Sequence, residues 1–121
     1  MRLLLLLACG GALLSAAEDS ADLYTTKVAP ILSAHCYDCH GAKKAKHNLR
    51  LDSIEGILAG GKELGPAVIA GKPDDSPLIK LTKLPAGEDQ AMPPKGARLS
   101  ADDIAVLSKW IADGAKAPAA K

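Results

Sequence analysis

The sequence predicts a small all-α fold, and three observations carry that expectation. No run of alternating β-branched residues bounded by hairpin turns occurs in the 121 residues. Apolar residues instead recur at spacings of three and four near both ends, as on amphipathic helices. Between those ends lie most of the 11 glycines and 8 prolines, leaving room only for short helices joined by long loops.

From Asp22, the residues Leu23, Lys27, Val28, Ile31 and Leu32 trace a stripe at helical spacing that runs toward Cys36. Pro30 falls inside it, so a kink or two short helices are expected rather than one straight rod. Asp52 or Ser53 is placed to cap a short helix carrying Ile54, Ile57 and Leu58, which Gly60-Gly61 would end. Asp74 to Ser76 offers a further start, with Pro77 in the first turn and Leu78, Ile79 and Leu81 as the buried face. A loop from Leu84 to Arg98 follows. Ser100 and Asp103 then form a capping box for a last helix whose inner stripe is Ile104, Leu107, Trp110 and Ile111, and Gly114 stops it.

The organisation read from these signals is a signal peptide over residues 1–17, one domain over 18–114, and a disordered tail over 115–121. The leader has one positive charge at Arg2, an apolar stretch too short to span a bilayer, and Ser15-Ala16-Ala17 before Glu18. A lipoprotein signal ending at Cys9 is the competing reading, and would leave a lipid anchor at that residue. Either way the product is expected in the periplasm or otherwise secreted. No later apolar run is long enough to cross a membrane. The formal net charge is +1, so no strong field draws the chain to nucleic acid.

A domain of this size sits near the lower end of what supports a sound core unaided. With no Phe, one Trp and two Tyr, the bulky groups that fill small interiors are nearly absent, and a flat buried cofactor would supply the missing volume. Cleavage after Ala17 leaves Cys36 and Cys39. A disulfide across two residues closes too small a loop to stabilise the fold appreciably, which favours a chemical role for the pair.

Cys36-Tyr37-Asp38-Cys39-His40-Gly41 contains Cys-x-x-Cys-His, the attachment motif of c-type haem. On a helical turn the three residues share a face, so two thiols can bond the vinyl groups of one porphyrin while His40 ligates the iron. The imidazole must then be neutral, with its other nitrogen turned to an acceptor such as a backbone carbonyl in the following loop. Met92 is the single methionine outside the leader, in a loop stiffened by Pro93 and Pro94, and is the candidate distal ligand. A His/Met pair saturates the iron and raises its potential, which suits electron transfer between redox proteins and argues against an enzyme.

Other readings of the same residues stay open. Zinc could use Cys36, Cys39 and His40 with His35 or His47, and a redox dithiol could use the cysteines alone. His47 could replace Met92, which would then merely fill the core. A haem-based sensor or catalytic module with a labile distal ligand is the functional alternative. Lys43, Lys44, Lys46 and Arg50 form a basic run that either borders the cofactor or is a solvated loop. Gly56 to Lys62 superficially matches a phosphate loop, but Glu63 follows where Ser or Thr belongs, and helix termination explains the glycines.

The chain resembles the planctomycete-type cytochrome c domain within the wider class I cytochromes c. That resemblance rests on Val28 to Leu32, the Cys-x-x-Cys-His segment, Asn48 to Asp52, Gly65 to Val68, Gly71 to Asp74, Met92 to Gly96, and Leu99-Ser100 into Trp110-Ile111. It implies a compact class I cytochrome c-like fold, with crossing N- and C-terminal helices packed around one haem and long Gly/Pro-rich loops. It further implies one covalent haem c per chain on Cys36 and Cys39, with His40 and Met92 as axial ligands to the iron.

Overall fold

Four helices, α1 to α4, and no strand are found among residues 20–118, the residues that the computed structural model describes. The expected leader over 1–17, with Cys9, and the tail residues 119–121 lie outside them. The only ladder-like contacts among the described residues are the isolated bridges His40 with Ala45 and Gly61 with Gly65.

Helix α1 runs through residues 20–35, π-helical over Tyr24–Val28 and α-helical over Ala29–His35. Pro30 does not divide it into two. The π turn stands just before the proline, with Ala29 N–H bonded to Tyr24 O, and this widened register accommodates the missing proline donor.

Helix α2 (Ile54–Ala59) is capped by Ser53, whose Oγ accepts from Gly56 N–H at 3.0 Å. It ends at Gly60, where φ is +77° and an added Cβ would fall 2.0 Å from Gly65 O, so only glycine fits. The glycines of the apparent phosphate loop therefore serve helix packing and termination. Helix α3 (Pro77–Lys83) begins after Ser76 and buries Leu78, Ile79 and Thr82. Leu81, expected on that face, is only half-buried, because Thr82 takes the inward position and returns its hydroxyl to Leu78 O at 2.7 Å.

Helix α4 (Ala101–Ala112) has the full capping box, with Asp103 N–H donating to Ser100 Oγ at 3.0 Å and Ser100 N–H to the Asp103 carboxylate. Its Leu107, Trp110 and Ile111 meet Val28 and Leu32 of α1 and Leu78 and Ile79 of α3 in one core. The α1 π turn packs on α4, and the Tyr24 and Trp110 rings lie 5.4 Å apart in a tilted pair.

Ala115 and Lys116 correct the expectation of a tail disordered from residue 115. Gly114, at φ +112°, turns the chain back so that Ala115 is buried and Lys116 O accepts the Trp110 indole N–H at 2.8 Å. Lys116 N–H donates to the buried Ser20 Oγ at 2.9 Å. A buried indole needs an acceptor, and the returning backbone supplies it.

Candidate functional site

The end of α1 becomes a tight turn that gathers three of the four candidate residues. Cys36 N–H still donates to Leu32 O at 2.8 Å, after which Cys39 and His40 both donate to Cys36 O, at 3.2 and 2.9 Å. Gly41 closes the turn against the backbone, since a Cβ there would lie 2.4 Å from Tyr37 O. Three more main-chain bonds brace it from outside: Gly41 N–H to Lys44 O (2.7 Å), Lys46 N–H to Cys39 O (2.9 Å) and Leu51 N–H to His40 O (2.7 Å). The turn is thus held by peptide groups, leaving its side chains free for chemistry.

Cys36 and Cys39 are free, half-buried thiols. Burial, and secondarily the neighbouring Cys39, pushes the Cys36 thiol up to about 11, the opposite of the depressed value that a redox dithiol needs. His40 is buried, and burial holds it below the ordinary histidine range, so the ring is neutral as coordination requires. The carbonyls of Leu49 and Lys46 pull the other way, as acceptors in the following loop, yet neither completes a hydrogen bond to Nδ1, which is buried without a protein partner. Two unbridged thiols and a neutral imidazole with an unspent nitrogen, all on one turn, fit covalent haem c.

Met92 is half-buried on the loop between α3 and α4. Its N–H donates to Leu81 O at 3.1 Å. Arg98 reaches back across the same loop, donating to Pro93 O at 3.0 Å, to Thr82 O at 3.2 Å and to Leu84 O. A groove of about 520 Å³ between α3 and α4, lined by Thr82, Leu99 and Ile104, includes none of the four candidates.

The rival ligands are engaged elsewhere. His47 is exposed and faces Glu63 at 3.5 Å, and His35 faces Asp103 at 3.8 Å. Among the described residues no three His, Cys, Asp or Glu side chains come together as a metal ion would require. Lys43, Lys44, Lys46 and Arg50 are all exposed, and Arg50 is forked onto Asp52 at 2.8 and 2.6 Å.

Two residues that sequence reasoning passed over bear on the site. Tyr37, inside the motif, packs against the core and lies beside Tyr24, whose ring packs on Trp110. Arg98 is the second, and one arginine six residues after Met92 carries no sequence signal of its reach.

Comparison with known proteins agrees with this reading of the turn. The model of the family described as Planctomycete cytochrome C matches residues 36–96, from the first motif cysteine to just past the Met92-Pro93-Pro94 segment. No curated protein and no solved structure matches the chain.

Proposed function

Since the chain belongs to the planctomycete cytochrome c family, whose members bear covalent haem c and serve electron transfer, we propose that it is an exported monohaem cytochrome carrying single electrons between redox proteins. In this reading Cys36 and Cys39 hold the haem by thioether bonds, and His40 and Met92 are the axial ligands. The observation that carries it is the Cys36–Gly41 turn, where both thiols and the imidazole ride on one peptide framework that Gly41 alone permits.

When bound, the haem supplies the one-electron couple. The chain's own contribution is to fix it. Two covalent bonds prevent loss during docking, and the buried, neutral His40 offers its ring without first shedding a proton. The braces from Lys44, Lys46 and Leu51 hold that ring in one place through a change of charge, which keeps rearrangement small. If His40 and Met92 both held the iron, no position would be left for substrate, which would suit a carrier.

Export follows from the leader over residues 1–17. Mass spectrometry of the processed protein should give a chain starting at Glu18; a lipidated Cys9 would replace that part of the proposal with an anchored form. No helix among the described residues is long and apolar enough to cross a membrane.

The central test is colour that survives denaturation. Expressed in a host able to mature c-type cytochromes, the protein should carry one haem mass that stays with the polypeptide in acid and organic solvent, and Cys36→Ala with Cys39→Ala should abolish it. A colourless mature protein would overturn the proposal. Carbon monoxide then separates carrier from sensor: a reduced carrier with both ligands in place should resist it.

A further inference from the structure

We propose that Arg98 is the positioning residue for Met92, fastening the loop that presents the thioether to the iron; this rests on Met92 being the distal ligand. The observation is a guanidinium whose partners are all backbone carbonyls on both sides of Met92's anchorage. Two of them, Thr82 O and Leu84 O, belong to the C-terminal end of α3, and the third, Pro93 O, follows Met92 directly. Among the described residues Arg98 has no carboxylate partner.

Helix C-termini leave carbonyls without intrahelical donors, and a cation there is favourable. A cap alone would explain the bonds to residues 82 and 84. It would not explain the third bond, which crosses to the Met92 loop. Arginine suits the junction because its planar fork carries five donors at fixed angles, enough to hold three acceptors at once. Met92 N–H on Leu81 O adds a second tie to the same helix end. The residue is thus pinned before and after its Cα to one rigid platform, while Pro94 to Ala97 beyond the ties are exposed. Releasing Arg98 leaves one main-chain bond between the loop and α3, Met92 N–H to Leu81 O, to resist loop excursions, and the thioether would then spend time away from the metal.

The experiment uses the matured holoprotein and the variants Arg98→Ala, Arg98→Lys and Met92→Ala. Three readouts are followed: the sulfur-to-iron charge-transfer band of the oxidised form, the reduction potential, and carbon monoxide binding to the reduced form. Helical circular dichroism is recorded alongside. Arg98→Ala should lose the band on warming well before it loses helix, show a lower potential, and bind carbon monoxide about tenfold faster, the scale of one lost hydrogen bond to a charged group. Arg98→Lys, with the charge but not the fork, should fall between Arg98→Ala and wild type. If Arg98→Ala does not fold, Arg98→Lys decides by the same band-against-helix comparison. A Met92-dependent band that Arg98→Ala leaves intact until global unfolding, or that Arg98→Lys restores in full, overturns this proposal alone. A wild-type spectrum that Met92→Ala does not alter overturns the ligation reading, and this proposal with it.

Discussion

The Cys36–Gly41 turn and the Met92 loop are built on different principles. The turn is a mesh of short main-chain bonds closed by a glycine, with no side-chain hydrogen bond within it. The loop has two main-chain bonds of its own, Glu88 N–H to Pro85 O and Ala91 N–H to Glu88 O, but one main-chain tie to α3, and its second anchor there is the side chain of Arg98. The two arginines near these regions repeat the contrast. Arg50 lies exposed and forked onto Asp52, whereas the half-buried Arg98 gives its donors to three carbonyls on two segments. The turn that carries Cys36, Cys39 and His40 is thus made from backbone, while the loop that carries Met92 hangs on a side chain. Substitutions should accordingly act on the turn through sterics and on the loop through lost bonds.

The largest expected effect tests the steric half of that contrast. Gly41→Ala sets a Cβ 2.4 Å from Tyr37 O, and a peptide oxygen cannot rotate away as a side chain would. The cost should be about 3 kcal/mol, the upper end for overpacking a closed site, and it falls on the segment that must present both thiols. Denaturant unfolding of the haem-free chain should show a clearly lower midpoint, and maturation should yield little covalent haem. Normal yield and stability would mean that the turn is looser than its bonds imply.

Ser76→Ala comes next, since it weakens the platform of the distal loop without touching its clamp. Ser76 is fully buried, and its Oγ accepts from Ile69 N–H at 2.8 Å while donating to Lys72 O at 2.9 Å. Removing it leaves those groups short of partners, for about 1 to 2 kcal/mol. Thermal unfolding should move down while the charge-transfer band persists until the whole protein melts. Loss of the band ahead of helix would show that the start of α3 controls the loop as strongly as its end does.

How far each region could be read from sequence follows from the reach of its contacts. The turn was legible because Cys36, Cys39 and His40 lie within five consecutive residues, and their spacing is itself the geometry. The caps at Ser53 and Ser100 were legible for the same reason, each oxygen reaching three residues ahead. The stripes of α1 and α4 were legible from periodicity although both helices lie outside the family match. Arg98 was not, because its partners on α3 stand 14 and 16 residues back and backbone carbonyls leave no mark on residue type. Nor was the docking of Lys116 on Ser20, a contact across 96 residues. The π turn escaped because Pro30 announces a missing donor but not how the register absorbs it.

Asp52 gives the smallest effect and the finest test of the contrast. Its hydrogen bonds with Arg50 hold the carboxyl below the usual carboxylate range, and the pair flanks Leu51, whose N–H supports His40 O. A group whose folded value is depressed stabilises the fold fully above its unfolded value, about 3.9, and loses that contribution as pH falls through the folded value. Asp52→Asn should therefore lower stability slightly at neutral pH, with the gap to wild type closing in acid and shrinking in high salt because the pair is exposed. The variant should leave haem attachment unchanged, since the main-chain bond from Leu51 survives it. A large, salt-insensitive loss would mean that the turn also leans on a side-chain clamp, and the division between a backbone-built turn and an arginine-held Met92 loop would not stand.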